Sequence, residues 1–222
     1  MKLINSKIDY IFDFSKNDTY SLVIENPNEF YSLTMELFYQ CSSDLDGEWV
    51  FGVNNEIKSI SKNLLLLHNY YEFSCSSKKI DSLINSTILD ALKTNDYFEE
   101  ISSINSELFK INDKICEKVD LPIESSFEID FDSIVKLLNY KIKDDLDFLN
   151  KLITYIDIFI KIKKIKVVVF IGLFSYLSEQ EIDNLIKQLR YMDIKIMFID
   201  NYDKCPFKYV KKIIIDNDLC II

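Results

Sequence analysis

The chain has 222 residues, with 26 Lys and Arg against 36 Asp and Glu, a formal net charge of −10, and 48% hydrophobic and 14% aromatic residues. The apolar content suffices for a packed core in one large domain or two small ones, and the acidic total excludes attraction of nucleic acid by bulk charge. It does not exclude a basic face. Between Asp96 and Asp132 eleven carboxylates stand against three lysines, a local balance of −8, whereas between Lys136 and Lys166 eight lysines stand against four aspartates, a balance of +4.

In chain order, Lys7 to Phe14 and Tyr20 to Ile24 read as strands, and Asn28-Glu29 opens a helix with the apolar face Phe30, Leu33, Leu37 and Phe38. Trp49 to Val53 and Ile57 to Ile60 flank Asn54-Asn55, a pair suited to a hairpin because Asn tolerates positive φ. Leu64 to Leu67 is a further strand, ended by His68, the sole histidine. From Ser76 the period becomes helical. Ile80, Leu83, Ile84, Ile88 and Leu92 mark one helix face, and Ile101, Ile104, Leu108, Ile111 and Ile115 repeat as a coiled-coil-like seam. Two long helices packed as an intrachain hairpin are expected in preference to a dimerising zipper. After Pro122, an acidic loop leads to a short helix, Ser133 to Leu138, with Asn139 as a left-handed cap.

A last long helix is expected from Asp144-Asp145 to Lys163, with Leu146, Leu149, Ile153, Ile156 and Ile160 inward and the pairs Asp147–Lys151 and Asp157–Lys161 outward. It delivers the chain into Lys166 to Asp200. There a β-branched run, a loop, the capping box Ser178 to Glu181, a helix with Ile182, Leu185, Ile186 and Leu189 inward, and a second apolar run from Ile194 compose one β-α-β crossover. Both apolar runs are nearly unbroken, as strands buried on two faces require. The fold class is therefore α/β. A discontinuous domain, 1–74 and 144–222, carries a helical insertion, 75–143.

A strand-loop-helix is also where a phosphate loop sits. Such a loop needs several glycines and a lysine followed by Ser or Thr, but Gly172 to Ser178 offers one glycine and no lysine. A degenerate relative of the nucleotide-binding fold is the better reading. Five cysteines without C-x-x-C spacing suggest neither a disulfide framework nor a zinc site and fit a reducing cytoplasm. His68 reads as a polar strand end rather than a general base. No signal peptide or membrane span is expected, because the longest charge-free run, Val167 to Ser178, falls far short of ~20 residues. The carboxylates Glu117, Asp120, Glu124, Glu128, Asp130 and Asp132 lack the spacing and turn glycine of an EF-hand, and read first as a solvated acidic surface.

Several runs together resemble the small spacer-acquisition protein of type II-A CRISPR systems, a family of DNA-end-binding rings. They are Lys166 to Phe170, Tyr176-Leu177-Ser178 with Glu181, Met197 to Asp200, Tyr209-Val210 and Ile215 to Asp218. Further back, Lys58 to Ile60, Leu64 to Leu67, the Ile80 to Leu92 helix, and Val119 to Leu121 before Glu128-Ile129 fall into the same order. The resemblance implies a P-loop-ATPase-like head domain with a degenerate phosphate loop, an inserted α-helical leg domain and a homotetrameric ring. It implies linear double-stranded DNA held in a basic channel without catalysis, association with the CRISPR integrase pair and effector nuclease, and calcium at the return from leg to head. The DNA-facing lysines expected from the basic region are Lys136, Lys141, Lys143, Lys161, Lys163 and Lys164. The calcium ligands implied are Asp120, Glu124, Glu128 and Asp130, although Pro122 and Ser125 to Phe127 replace part of the family's denser carboxylate run. A nucleotide-dependent enzyme and a purely structural scaffold of the acquisition complex are the alternatives.

Overall fold

A computed structural model describes residues 1–43, 45–71, 74, 77–94, 97–119, 128–142 and 146–222, with the backbone only of Lys79. In chain order its elements are β1 (Lys2–Asn5), β2 (Ile8–Asp13), β3 (Thr19–Ile24), α1 (Pro27–Ser42), β4 (Trp49–Val53), β5 (Glu56–Lys58), α2 (Ile60–Asn63) and β6 (Leu64–Leu67). They continue as α3 (Lys78–Thr94), α4 (Phe98–Val119), α5 (Phe131–Leu138), α6 (Phe148–Lys163), β7 (Val167–Ile171), a 3₁₀ turn (Leu173–Ser175), α7 (Glu179–Tyr191), β8 (Lys195–Asp200) and β9 (Lys211–Ile215). The chain divides into two compact units, one of Met1–Phe73 with Asp145–Ile222 and one of Ser74–Asp144.

In the first unit, five strands form a parallel sheet in the order β6-β7-β8-β3-β9. All six residues of β3, the first four of β7 and the last five of β8 are buried, which is why these segments are mostly apolar and show no alternation. Alternate residues serve opposite faces. Tyr20, Leu22, Val167, Val169, Met197 and Ile199 join the inner face of a second, antiparallel sheet of order β2-β1-β4-β5 in a single core. Phe12, Trp49 and Phe51 come from that sheet, and Tyr20 meets Phe12 and Phe14 edge-on, with ring centroids 5.4 Å apart in each case. Helix α1 packs against β3, β4 and β6, while α7 packs against α6 and β8. Helix α7 buries Ile182, Leu185, Ile186 and Leu189, as its spacing predicts.

The hairpin turn holds Asn54 and Asn55 at φ 51° and 64°, the left-handed pair that a two-residue turn demands. Strand β1, four residues long, escapes the sequence reading, and Ile57 to Ile60 is not one strand. Strand β5 stops at Lys58 and the chain turns once as α2 before entering β6. Helix α6 begins at Phe148 because the Asp147 carboxylate caps it, accepting from Asn150 N at 2.9 Å. Asp157–Lys161 forms as an ion pair at 2.6 Å, while Asp147 serves the cap.

In the second unit, α3 packs against α5, and α5 runs from the Asp130 cap to Asn139, whose φ of 46° and ψ of 55° make it the left-handed terminator anticipated. Among the described residues the expected seam between the two long helices does not appear as a packed pair. Helix α4 buries none of its described residues, and Ile104, Ile111 and Ile115 are 45–52% exposed. A three-and-four repeat specifies a stripe, not what covers it. In this chain the packing partner of α3 is α5.

One polar group fastens the loop after α1. Gln40 is 5% exposed; its Nε2 donates to Trp49 O at 2.9 Å, and its Oε1 accepts from Trp49 N at 3.1 Å. Truncating it leaves both backbone groups unpaired in a dry site. The Gln40→Ala variant is expected to lose ~1–3 kcal/mol of unfolding free energy in urea titration; an unchanged midpoint would show that water replaces the amide at no cost.

Candidate nucleic-acid interface

The amino-terminal edge of the parallel sheet collects lysines from separate segments. Lys161 and Lys163 lie in the last turn of α6, where the helix dipole favours cations. Lys164 caps that helix at φ 55° and ψ 37°, with its N–H donating to Ile160 O at 3.0 Å. Lys166 N then donates to Asn63 O at 2.8 Å, beside Lys62, and Lys195 N donates to Lys166 O at 3.1 Å. Lys62, Lys161, Lys163, Lys164 and Lys166 are all exposed. Lys161 pairs with Asp157 at 2.6 Å, and Lys163 Nζ lies 5.6 Å from the centroid of the Phe159 ring. Lys195 is neutralised by Asp18 and Asp193 at 2.9 and 3.0 Å. Burial opposes its charge, but the two carboxylates prevail and raise its pKa. Sequence spacing finds Lys161 to Lys166 as a run, but not Lys62, which joins it only through the pairing of β6 with β7.

Lys136, on the exposed side of α5, and Lys141, just beyond that helix, belong to the second unit. Lys143 lies outside the described residues, as do Asp120 and Glu124. Glu128 and Asp130 are exposed on the segment entering α5. That segment is tied to α4 by Asn105, whose amide donates to Ile129 O at 2.9 Å and accepts from Ile129 N at 2.8 Å, a clamp that no sequence signal announces. Asp130 already spends one oxygen on the helix cap, accepting from Ser133 N at 2.7 Å. Its hydrogen bonds from the Ser133 side chain and backbone hold the carboxyl below its ordinary range. The second oxygen of Asp130 and both of Glu128 are hard donors of the type calcium takes. Among the described residues no three His, Cys, Asp or Glu side chains converge on one point.

At the opposite edge, the loop in the phosphate-loop position is folded on itself. Gly172, at φ 70°, donates its N–H to Ile199 O at 3.0 Å; Ser175 N donates to Gly172 O at 3.2 Å, and Tyr176 N to Leu173 O at 2.9 Å. Leu173 is fully buried. The first turn of α7 is closed by its capping box, in which Ser178 Oγ accepts from Glu181 N and the Glu181 carboxylate accepts from Ser178 N at 2.8 Å. Four backbone donors of this loop, those of Gly172, Ser175, Tyr176 and Ser178, are engaged by the protein's own oxygens. Burial pushes the Cys41 thiol up to about 12, so it is no thiolate at neutral pH. His68 is exposed and sits edge-on to Phe38 at 5.0 Å, the strand-end role expected of it.

The fold is that of a mixed α/β protein with a buried parallel sheet, a separate helical unit and a lysine-rich sheet edge. The family model described as CRISPR-associated protein (Cas_Csn2) matches residues 43–219. The chain belongs to the Csn2 family of CRISPR type II-A spacer acquisition. Among the described residues, no helix is long and apolar enough to cross a membrane.

Asp200, which ends β8, is 3% exposed, and its Oδ2 accepts no hydrogen bond. Lys204 Nζ stands 3.9 Å from Oδ1 and donates to Ser175 Oγ at 3.0 Å. Burial, opposed by the weaker attraction of Lys204, pushes the carboxyl up to about 7. The folded value exceeds the unfolded one of ~3.9, so the native state holds this proton more tightly. Its contribution to stability is complete below the unfolded value and is lost as pH rises to about 7. Asp200→Asn is expected to stabilise by ~1–3 kcal/mol at pH 8 and by almost nothing near pH 4, as read from urea midpoints. An equal difference at both pH values would refute the assignment.

Proposed function

We propose that the chain binds linear double-stranded DNA without catalysis and without reading its sequence, as a homotetrameric ring that threads onto ends and supports spacer acquisition with the CRISPR integrase pair and effector nuclease. The observation that carries this reading is the run of Lys161, Lys163, Lys164 and Lys166 exposed at one sheet edge of a protein whose net charge is −10. Phosphate contacts from such side chains position DNA but carry no sequence information. Fourfold symmetry would multiply a modest local excess into a channel potential. The apolar positions of α4, exposed within the chain, support assembly, since an uncovered aliphatic stripe marks a contact surface. The head is read as P-loop-like and the Ser74–Asp144 unit as the leg. A non-catalytic role is favoured over nucleotide hydrolysis because the N–H groups of Gly172, Ser175, Tyr176 and Ser178 bond within the protein and Glu179 and Glu181 stand in the first turn of α7.

Lys164 permits a clean test, because its left-handed backbone would suit glycine better. Lys164→Gly removes the charge while easing the cap. Affinity for a linear duplex is expected to fall and the salt slope to shrink by about 0.9, while the melting midpoint stays or rises. In a gel shift the unaltered protein is expected to retain linear duplex but not closed circular DNA of equal length, and light scattering should give the mass of a tetramer. Equal retention of both topologies would end the threading reading.

Calcium is proposed at the return from leg to head, through Glu128 and Asp130 with Asp120 and Glu124. Its support is the exposed hard oxygens that the Asn105 clamp holds in place. A cation bound only by the folded state raises its apparent stability. The melting midpoint is therefore expected to rise in millimolar calcium over chelator, and to rise less in Glu128→Gln. No change with calcium would remove the site.

A further inference from the structure

Helix α1 is amphipathic in an inverted sense on part of its surface. Thr34 and Gln40 are buried, whereas Tyr31 and Tyr39, 66% and 59% exposed, lie with Met35 at four-residue intervals along the solvent side. The loop after the helix faces this stripe with Leu45, 70% exposed, and the two form the walls of a groove of about 410 Å³ that Glu36 and Asp46 also line. The groove is built into the fold. Gln40 ties the loop to α1 through Trp49, Glu36 Oε1 accepts from Glu48 N at 2.6 Å, and a Cβ on Gly47 would meet Gln40 Cδ at 2.6 Å.

We infer that this groove docks a basic, apolar-anchored segment of a protein partner in the acquisition complex, with an aliphatic or aromatic residue between the tyrosines and a guanidinium against Glu36 and Asp46. Exposed Tyr and a half-buried Met with a carboxylate rim are the surface chemistry that arginine-bearing segments use, through cation–π contact and paired charge. Among the described residues no lysine or arginine lines the groove; Lys7 Nζ donates to Ser32 Oγ at 3.5 Å beside it. DNA is repelled by the same carboxylates. A second copy of this chain is the poorer occupant, because its one arginine, Arg190, already bonds to Thr19 Oγ1 at 3.1 Å and stacks over the Tyr209 ring at 4.8 Å. Proteins that handle DNA carry the complementary basic surfaces. The inference rests on the acquisition role of the family, not on the ring or its channel.

The test uses the full chain against the purified integrase pair and effector nuclease of the same locus, each immobilised in turn. At least one is expected to bind. Affinity should fall about tenfold or more for Tyr31→Ala with Tyr39→Ala, and again for Asp46→Lys, with the melting midpoint and the linear-duplex shift unchanged. A photoreactive benzoylphenylalanine placed at Tyr39 should cross-link to a peptide of that partner containing arginine. Binding unaffected by the groove variants, cross-links to DNA or to a second copy, or no binding by any of the proteins overturns the inference. Loss of the duplex shift in the unaltered protein would instead count against the DNA-binding reading and leave the groove result standing.

Discussion

Burial of the parallel sheet on both faces is the constraint on which the rest of the first unit depends. A strand in the middle of such a sheet is covered on both sides, so β7 is apolar throughout, β8 is apolar between its ends, and the only polar side chains of β3 are the small hydroxyls of Thr19 and Ser21. Charge is thereby displaced to the strand ends. The lysines that precede β7 and Lys195, which opens β8, stand together at one edge, and Asp200 stands at the other, buried at the limit of its strand. Both the basic edge and the buried Asp200 carboxylate follow from the same requirement that water be kept from the sheet.

Elements whose identity is set by local chemistry were legible in the sequence. The two asparagines at the hairpin, the Ser178–Glu181 capping box, the Asn139 terminator and the crossover from β7 to β8 are dictated within a few residues of themselves. What depended on pairing across the fold was not. The addition of Lys62 to the basic run needs the register of β6 on β7, and the Asn105 clamp on Ile129 spans 24 residues with no periodic signal. Helix α4 shows the limit most clearly: its stripe predicts a helix with an apolar face, but whether that face meets α3, another chain or water is decided elsewhere.

Acidity and DNA binding are compatible in one chain only if the two signs are kept apart by more than the screening distance, ~8–10 Å at physiological salt. The fold supplies part of that separation. Where a lysine at the sheet edge has carboxylates within reach, as Lys195 has Asp18 and Asp193, it is neutralised and becomes a structural group. Lys164 and Lys166, beyond the end of α6, are exposed to solvent, where a phosphate can approach them. The useful count is therefore not of lysines but of lysines without a carboxylate neighbour, and that count is a property of the folded surface.

The loop from Gly172 to Ser178 joins a strand to a helix without the chemistry by which such a loop binds phosphate. A phosphate-binding turn leaves its N–H groups unpaired and accepts the cost because the ligand satisfies them. Here Gly172, Ser175 and Tyr176 satisfy theirs within the protein, and Leu173 fills the interior of the turn. Binding an anion would require breaking those bonds, uncovering Leu173 and displacing the Glu181 carboxylate from the α7 terminus. Each step costs free energy that an incoming phosphate must recover. The turn is stable because it is closed, and that closure lets it serve as a rigid corner of the sheet rather than as a site.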